Sequence, residues 1–148
     1  MSTILLDNIE KRGFGVKVTT KSEYSFLALI YIARNQKHGF IRMQEICKKY
    51  CISKKYLEQI FASLKEARYI ETKTGVNGGY KLAKSAKKIS VAEIIRLMDG
   101  ALAPSLAVSK YFFKHTPLEK EKKVIQVFQE IRDYISAKVE KLMISDLV

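Results

Sequence analysis

The side chains that most often carry out catalysis or hold metals are few and scattered in this 148-residue sequence. Its two cysteines, Cys47 and Cys51, have no second cysteine pair or histidine beside them, which argues against zinc binding. We expect Cys47 to pack in the core and Cys51 to lie exposed in a turn, where redox sensing stays open as an alternative. The histidines and carboxylates form no nucleophile–base or metal pattern. The sequence therefore predicts no enzyme, no metal site and no cofactor.

The charge distribution favours a polyanionic ligand. The net charge is +12, and residues 11–88 hold 18 Lys or Arg against five acidic residues, whereas residues 89–148 are nearly balanced. A one-sided excess suits nucleic acid, because each neutralised phosphate releases a counterion; a membrane surface is the alternative. No apolar run approaches the roughly 20 residues that span a bilayer, and the N-terminus lacks a secretory pattern. We therefore expect a cytoplasmic protein that does not bind membranes.

A helix-turn-helix is predicted within this basic half. The pattern Thr20-x-x-Glu23 reads as a capping box, opening a helix that ends near Gln36. A second helix is expected from about Met43 to Tyr50, then a turn, then a third helix capped by Ser53. The third helix has a buried stripe of Tyr56, Leu57, Ile60, Phe61 and Leu64. Two helices joined by a tight turn, the later one polar and basic at its start, are typical of DNA-binding proteins.

A β-hairpin is predicted directly after the third helix. Two short β-forming runs, residues 69–74 and 80–82, flank the glycine-rich segment Gly75-Val76-Asn77-Gly78-Gly79. A hairpin in this position is the wing of a winged helix. A phosphate-binding loop is the rival interpretation, but no helix starts after Gly79 and no Gly-Lys-Ser/Thr sequence is present.

The C-terminal half predicts two more helices separated by a loop. Ser90 and Glu93 form a capping box for a helix that runs through Met98 and is stopped by Gly100. After about fifteen loop residues, Thr116 starts a helix of about 25 residues, nearly 40 Å long. Its apolar stripe comprises Val124, Phe128, Ile131, Ile135, Val139 and Leu142. Because so long a helix exceeds what a small domain covers, we expect the stripe to form a homodimer interface; folding back on its own domain is the alternative.

Several segments together resemble a family of bacterial winged-helix repressors that includes the iron–sulfur regulator IscR, the nitric-oxide sensor NsrR and the cysteine-metabolism regulator CymR. The similar segments are Thr20-Lys21 with Tyr24, residues 52–61, the wing Gly75-x-x-Gly78-Gly79-Tyr80-x-Leu82, and Ile89-Ser90-Val91. The resemblance spans about residues 16–148. It implies a homodimer that places one recognition helix per subunit in successive major grooves of double-stranded DNA, with the wings reaching toward the neighbouring minor groove.

The resemblance also implies, position by position, which residues contact DNA. Lys55 and Glu58 would approach base edges, while Lys21, Lys54 and Gln59 would meet phosphates. For Glu58, a salt bridge to a neighbouring lysine is the alternative. The full set of expected DNA-binding residues is Lys21, Ser53, Lys54, Lys55, Tyr56, Glu58, Gln59, Lys73, Thr74, Asn77 and Gly78.

Two departures from the family pattern change these expectations. Where the family often has Arg before the wing glycine, followed by Gly-Pro, this chain has Thr74, Gly75 and Val76; Lys73 could replace the arginine only as a point charge.

Where cluster-binding relatives have three cysteines, this chain has Ala107, Phe113 and Glu119. Thiolates hold iron–sulfur clusters, so we expect none here. His115 lies in the same loop, where a surface role is preferred to a ligand role.

The sequence as a whole predicts a mainly α fold with a small β-hairpin wing, in four parts. Residues 1–15 are an N-terminal extension, 16–99 a winged helix-turn-helix domain, 100–116 a sensor-like loop, and 117–148 a dimerisation helix. The working hypothesis is a sequence-specific transcriptional regulator, specifically a repressor, that acts as a homodimer and answers to a small-molecule or protein effector at the loop. The alternatives are a dimeric protein-interaction adaptor, a regulator controlled by a partner protein, and an always-active repressor whose apolar loop simply packs.

Overall fold

The computed structural model describes residues 18–148, so the predicted extension, residues 1–15, lies outside the described residues. Three helices come first: α1 (Thr20–Asn35), α2 (Met43–Tyr50) and α3 (Lys54–Glu66). Apolar side chains at helical spacing on α1 and α3 meet in the main core, where Leu29, Leu57 and Phe61 are almost fully buried. The predicted mainly α fold with a hairpin wing is confirmed.

The start of α1 differs from the prediction. The capping residue is Thr19, not Thr20, and the hydroxyl of Thr19 does not cap its own helix. It donates instead to the carboxylate of Asp99, which also accepts from the backbone N–H of Thr19 (3.0 Å) and the hydroxyl of Ser22 (2.6 Å). The predicted capping box at Thr20 is therefore wrong, because a carboxylate from a distant helix satisfies the start of α1.

The turn between α2 and α3 forms as predicted. Cys51 adopts the left-handed conformation (φ 55°), which reverses the chain after α2. The amide of Tyr56 then donates to the hydroxyl of Ser53, which caps α3. Leu57, Ile60, Phe61 and Leu64 are buried as expected, but Tyr56 is only half-buried and packs edge-on against Tyr24 with 5.5 Å between ring centroids. The aromatic ring of Tyr56 therefore borders the surface.

The wing is an antiparallel pair of strands, β1 (Ile70–Lys73) and β2 (Gly79–Leu82), with Lys73 opposite Gly79. A further bridge joins β2 to the segment before α2: Ile41 and Tyr80 exchange two backbone hydrogen bonds of 2.8 Å. Gly79 makes this approach possible, because a Cβ there would lie 2.4 Å from the carbonyl oxygen of Ile41. The wing is thus fixed to the segment before α2 as well as to α3.

Helix α4 (Val91–Asp99) starts at the predicted capping box of Ser90 and Glu93 and ends at Gly100, which has a φ of 85°. Glu93 also accepts from the hydroxyl of Tyr69. Burial and the neighbouring Glu93 carboxylate raise the pKa of Tyr69 to about 12. These contacts hold α4 against the base of the wing.

The C-terminal region is not the continuous 25-residue helix that the sequence predicted. Residues Pro117–Lys120 form a 3₁₀ turn, Glu121 is non-helical, and α5 spans only Lys122–Val139. Its 18 residues correspond to about 27 Å. After α5 the chain returns to the start of α4, where Ile144 donates its N–H to the carbonyl of Ile89 and is fully buried. The chain end therefore belongs to the main core rather than to an extended helix.

The apolar stripe of α5 is divided between the chain's own core and the surface. Its C-terminal members Ile135 and Val139, together with Leu142 beyond the end of α5, pack against a second small core formed by Val91, Ala92, Ile95 and Leu102. Val124 and Ile131 remain exposed and Phe128 is half-buried. The fold-back alternative therefore describes the C-terminal half of the stripe.

Candidate nucleic-acid interface

The N-terminal end of α3 presents four polar side chains on one exposed surface. Lys54, Lys55, Glu58 and Gln59 are all exposed, as expected for a helix whose opposite face is buried. Lys54 and Glu58 form an ion pair of 3.7 Å, with 61% and 53% of the two side chains exposed. An exposed pair with this i, i+4 spacing contributes only about 0.3–0.5 kcal/mol. Glu58 therefore forms the salt bridge to a neighbouring lysine that the sequence analysis gave as an alternative. Because the pair is weak, either side chain can leave it to contact DNA.

Lys21 is brought next to this surface although it precedes α3 by more than 30 residues. It lies beside Tyr56 and Gln59 in a recess that also includes Met98. Its positive charge also contributes to the environment of Asp99. Burial opposes ionisation of Asp99, but hydrogen bonds from Ser22 and Thr19, together with the Lys21 charge, outweigh it, so the pKa of Asp99 lies below its usual value. The Asp99 carboxylate that joins α4 to α1 is therefore negatively charged at neutral pH.

The wing residues of the predicted site divide into exposed side chains and a structural glycine. Lys73, Thr74 and Asn77 are exposed. Gly78 is buried, and its N–H donates to the carbonyl of Gly75 at 3.1 Å. A Cβ at Gly78 would lie 2.1 Å from the carbonyl oxygen of Lys73. Gly78 therefore shapes the wing tip, and its amide is already engaged within the wing.

Arg42 and Gln44 belong to the same surface but were missed by the sequence reasoning. Together with Lys54, Glu58 and Lys73 they line an open cleft of about 310 Å³ between α3 and the wing. The guanidinium of Arg42 donates to the carbonyl of Val76 at the wing tip. No local pattern could have indicated this contact, because the two residues are 34 positions apart. The excess of positive charge in residues 11–88 was the one feature of the sequence that could have suggested a role for Arg42 in binding DNA.

The loop of residues 100–116 is tied to the helices on both sides. Arg132 of α5 donates to the carbonyl of Val108 at 2.9 Å. Arg96 of α4 pairs with Glu140 and lies 4.6 Å from the ring centroid of Tyr111. Ala107 is buried, Phe113 is half-exposed, and Glu119 lies 3.0 Å from Nδ1 of His115. The loop thus joins the winged-helix part of the chain to α5.

The basic start of α3 is exposed beside a β-hairpin wing, while the opposite face of α3 packs in a helical core. This arrangement defines a winged helix-turn-helix protein of the DNA-binding transcription-regulator class. The family model named Rrf2, described as an iron-dependent transcriptional regulator, matches residues 18–148. The chain therefore belongs to the Rrf2 family.

Individual relatives agree with this assignment. The chain is 40% identical to the HTH-type transcriptional regulator IscR of Cereibacter sphaeroides over 86 residues, which cover 57% of this chain and 56% of that protein. Among solved structures, CymR of Staphylococcus aureus is 28% identical with a TM-score of 0.65, covering 87% of this chain and 95% of that chain. CymR, the global cysteine regulator of Bacillus subtilis, is 24% identical with a TM-score of 0.71, covering 90% and 96%; it supports the fold.

The match to the first curated relatives is partial. The chain spans 56% of the length of the Cereibacter protein and 64% of a putative HTH-type regulator from Neisseria meningitidis. These relatives are regulators rather than enzymes. Within residues 18–148, no helix is both long and apolar enough to cross a membrane.

The family description implies iron, and the residues of this chain do not fit an iron–sulfur cluster. Its two thiols are Cys47, within α2 and packed against the core, and Cys51, exposed in the turn that follows. Nowhere in the described part of the chain do three His, Cys, Asp or Glu side chains converge as a metal would require. His115 and Glu119 form one exposed pair of hard or borderline donors, which differ from the thiolates that clusters need.

Proposed function

We propose that this chain is a sequence-specific transcriptional repressor that binds double-stranded DNA as a homodimer and works without an iron–sulfur cluster. The observation that carries the proposal is the exposed start of α3, where Lys54 and Lys55 lie beside an open cationic cleft bordered by the wing. A major groove about 12 Å wide admits a helix of this size, and side chains at the helix start reach base edges first.

The expected DNA contacts follow from this arrangement. Lys55, Glu58 and Gln59 are directed to the bases and neighbouring sugar–phosphates, because they occupy the exposed face of the first two turns. Lys21 extends the surface on one side of α3, and Lys73, Thr74 and Asn77 extend it on the wing side. Ser53 and Tyr56 support the helix start, Ser53 by capping it and Tyr56 by packing on Tyr24.

The exposed face of α5 supports dimerisation with a second copy. Val124, Val127, Ile131 and Tyr134 follow one another at steps of three, four and three residues, the spacing of a coiled-coil seam. They are 36%, 51%, 40% and 78% exposed, which is a large apolar row for one helix. We therefore narrow the predicted interface to Val124, Phe128 and Ile131, with Val127 and Tyr134 added. Ile135, Val139 and Leu142 support the helix from within the chain.

An effector would act through the loop of residues 100–116. The recess between the loop and α5, lined by Arg96, Tyr111 and Arg132 among others, encloses about 10 Å³, which is room for about one water. A small-molecule effector would therefore have to separate the loop from α5, and that movement would alter the spacing of two recognition helices. The exposed Tyr111, Phe112 and Phe113 are the surface that a protein effector would meet.

The salt dependence of DNA binding tests the central part of this proposal. A duplex selected from a random pool is titrated with the wild type and with a Lys54→Ala/Lys55→Ala variant across a series of salt concentrations. The slope of log K against log salt should flatten by about 0.9 for each phosphate that the variant no longer neutralises. The matched control is Lys87→Ala/Lys88→Ala, which removes the same charge from a 3₁₀ turn that packs near the C-terminal turn Ile144–Leu147.

The outcomes separate the two candidate functions. A flattened slope in the Lys54/Lys55 variant and an unchanged slope in the control would support the proposed interface. Equal slopes in a folded Lys54/Lys55 variant and the wild type would contradict it. If the wild type binds no duplex at low salt, the alternative of a protein-interaction adaptor, to which the same basic surface would belong, is favoured.

A further inference from the structure

Arg42 lies where the start of α2 meets the wing. It is the residue before α2, it is exposed, and it follows Ile41, whose backbone is bridged to Tyr80 of the wing. Its own N–H donates to the carboxylate of Glu45 at 3.1 Å, which fixes the backbone at the helix start. Because Gly79 lets strand β2 press against Ile41, the position of Arg42 relative to the wing is set by backbone contacts.

The guanidinium of Arg42 keeps most of its hydrogen-bonding capacity. It has five N–H donors, and its one side-chain hydrogen bond within the described chain goes to the carbonyl of Val76. The Glu58 carboxylate lines the same cleft but is paired with Lys54; within residues 18–148 no ion pair of 4.0 Å or less joins it to Arg42. The guanidinium is therefore anchored at the wing tip with donors left for another acceptor.

The cleft that Arg42 lines has the charge and position of a phosphate site. Arg42, Lys54 and Lys73 supply three positive charges against the one negative charge of Glu58. The cleft separates α3 from the wing. If α3 enters a major groove, the sugar–phosphate strand that borders this groove has to pass between α3 and the hairpin beyond it. A guanidinium can bind such a phosphate through two parallel hydrogen bonds, which a lysine cannot do.

We propose that Arg42 anchors a DNA backbone phosphate in the cleft between the recognition helix and the wing. Lys54 and Lys73 flank the phosphate, and the hydrogen bond to Val76 orients the guanidinium. This inference rests on the proposed function, because it requires that α3 bind duplex DNA.

The test couples a change in the protein with a change in one phosphate. In the selected duplex, each backbone phosphate in turn is replaced by a neutral methylphosphonate, and affinities are measured for the wild type, Arg42→Ala and Arg42→Lys. The wild type should lose affinity at each contacted phosphate, and at one phosphate per half-site the loss should be about tenfold or more and should depend on Arg42, as expected for a charge-assisted contact. At that position the loss in Arg42→Ala should be clearly smaller than in the wild type, because only the flanking Lys54 and Lys73 still contact the phosphate, whereas the loss in Arg42→Lys should fall between the two.

A control variant and two possible results distinguish phosphate binding by Arg42 from a purely structural role in the wing. Lys65→Ala removes one positive charge at the far end of α3, about 16 Å from Lys54, and should keep the full wild-type loss at that phosphate. If Arg42 only holds the wing, Arg42→Ala weakens binding but the methylphosphonate loss stays as large as in the wild type, and the proposal is overturned. A wild type that binds no duplex would instead contradict the proposed function itself.

Discussion

Replacing Asp99 tests how the end of α4 is joined to the start of α1. Asp99 ends α4 and accepts three hydrogen bonds from the start of α1, two from Thr19 and one from Ser22. In Asp99→Asn one acceptor oxygen becomes an NH₂ group, which faces donors. The Ser22 hydroxyl is fully buried, so it cannot turn to water when its acceptor is removed. The substitution is nearly isosteric and therefore isolates the charge and the acceptor.

The expected loss of stability follows from these contacts. A hydrogen bond to a charged group contributes about 1.5–3 kcal/mol, and leaving a buried donor unsatisfied costs about 1–3 kcal/mol. Because Asp99 is only half-buried and the Thr19 donors can reach water, we expect the free energy of unfolding to fall by about 2–3 kcal/mol. For a chain of this size that corresponds to a decrease in Tm of roughly 5–10 °C.

The direction of the Asp99 pKa shift determines how the loss of stability in Asp99→Asn depends on pH. The pKa of Asp99 in the folded protein lies below its ordinary value of 3.8, so the carboxylate stabilises the fold above that pH. This contribution disappears as the pH falls through the folded-state pKa. The difference in unfolding free energy between wild type and Asp99→Asn should therefore be constant from about pH 5 to 8 and shrink below about pH 4.

Urea denaturation at several pH values provides the measurement. Asp133→Asn serves as the matched control, since Asp133 is an exposed carboxylate paired with Arg132 and Lys110 on the surface and should change stability by less than about 1 kcal/mol. The reasoning about Asp99 would be refuted by an Asp99→Asn variant as stable as the wild type at pH 7, or by a loss of stability that persists unchanged in acid.

Three further predictions concern the dimer, the wing and the cofactor. Ile131→Glu should place a charge in the interface and give a monomer by sedimentation, whereas Leu97→Glu, at another exposed apolar position, should leave a dimer; an intact Ile131→Glu dimer would move the interface elsewhere. Gly79→Ala should destabilise the protein by about 1–2 kcal/mol or more beyond Gly75→Ala in urea denaturation, because both glycines have positive φ but only Gly79 is pressed against Ile41; equal losses would contradict this. Anaerobically purified protein should be colourless and keep its DNA affinity with iron chelators, and visible absorbance with stoichiometric iron and sulfide would disprove a cluster-free regulator.

Much of the winged helix could be predicted because its signals are local. Ser53 caps α3 through an amide three residues away, and Ser90 and Glu93 close a capping box over the same distance. Glycines permit the positive φ at Gly75 in the wing and at Gly100 after α4. The periodic apolar residues of α1 and α3 follow from the 3.6-residue helical repeat. Each signal depends on neighbours within one or two turns, so it can be recognised in the sequence.

The candidate site was predictable in part for the same reason. The exposed positions of α3 follow from its amphipathic pattern, and Lys73 and Asn77 follow from the hairpin. Arg42 could not be assigned to the cleft, because its partner Val76 is brought to it by the bridge between Ile41 and Tyr80.

The sequence by itself determined the order and type of the elements in the winged helix, the position of the wing and the basic face of α3. The tertiary structure decided how they are joined: Asp99 caps α1 across 80 residues, and the C-terminal segment at Ile144 pairs with Ile89. It also divided the α5 stripe, covering Ile135 and leaving Ile131 exposed. A periodic stripe predicts that one helix face is apolar, but which neighbour covers it depends on contacts between residues far apart in sequence, and those exist only once the chain has packed.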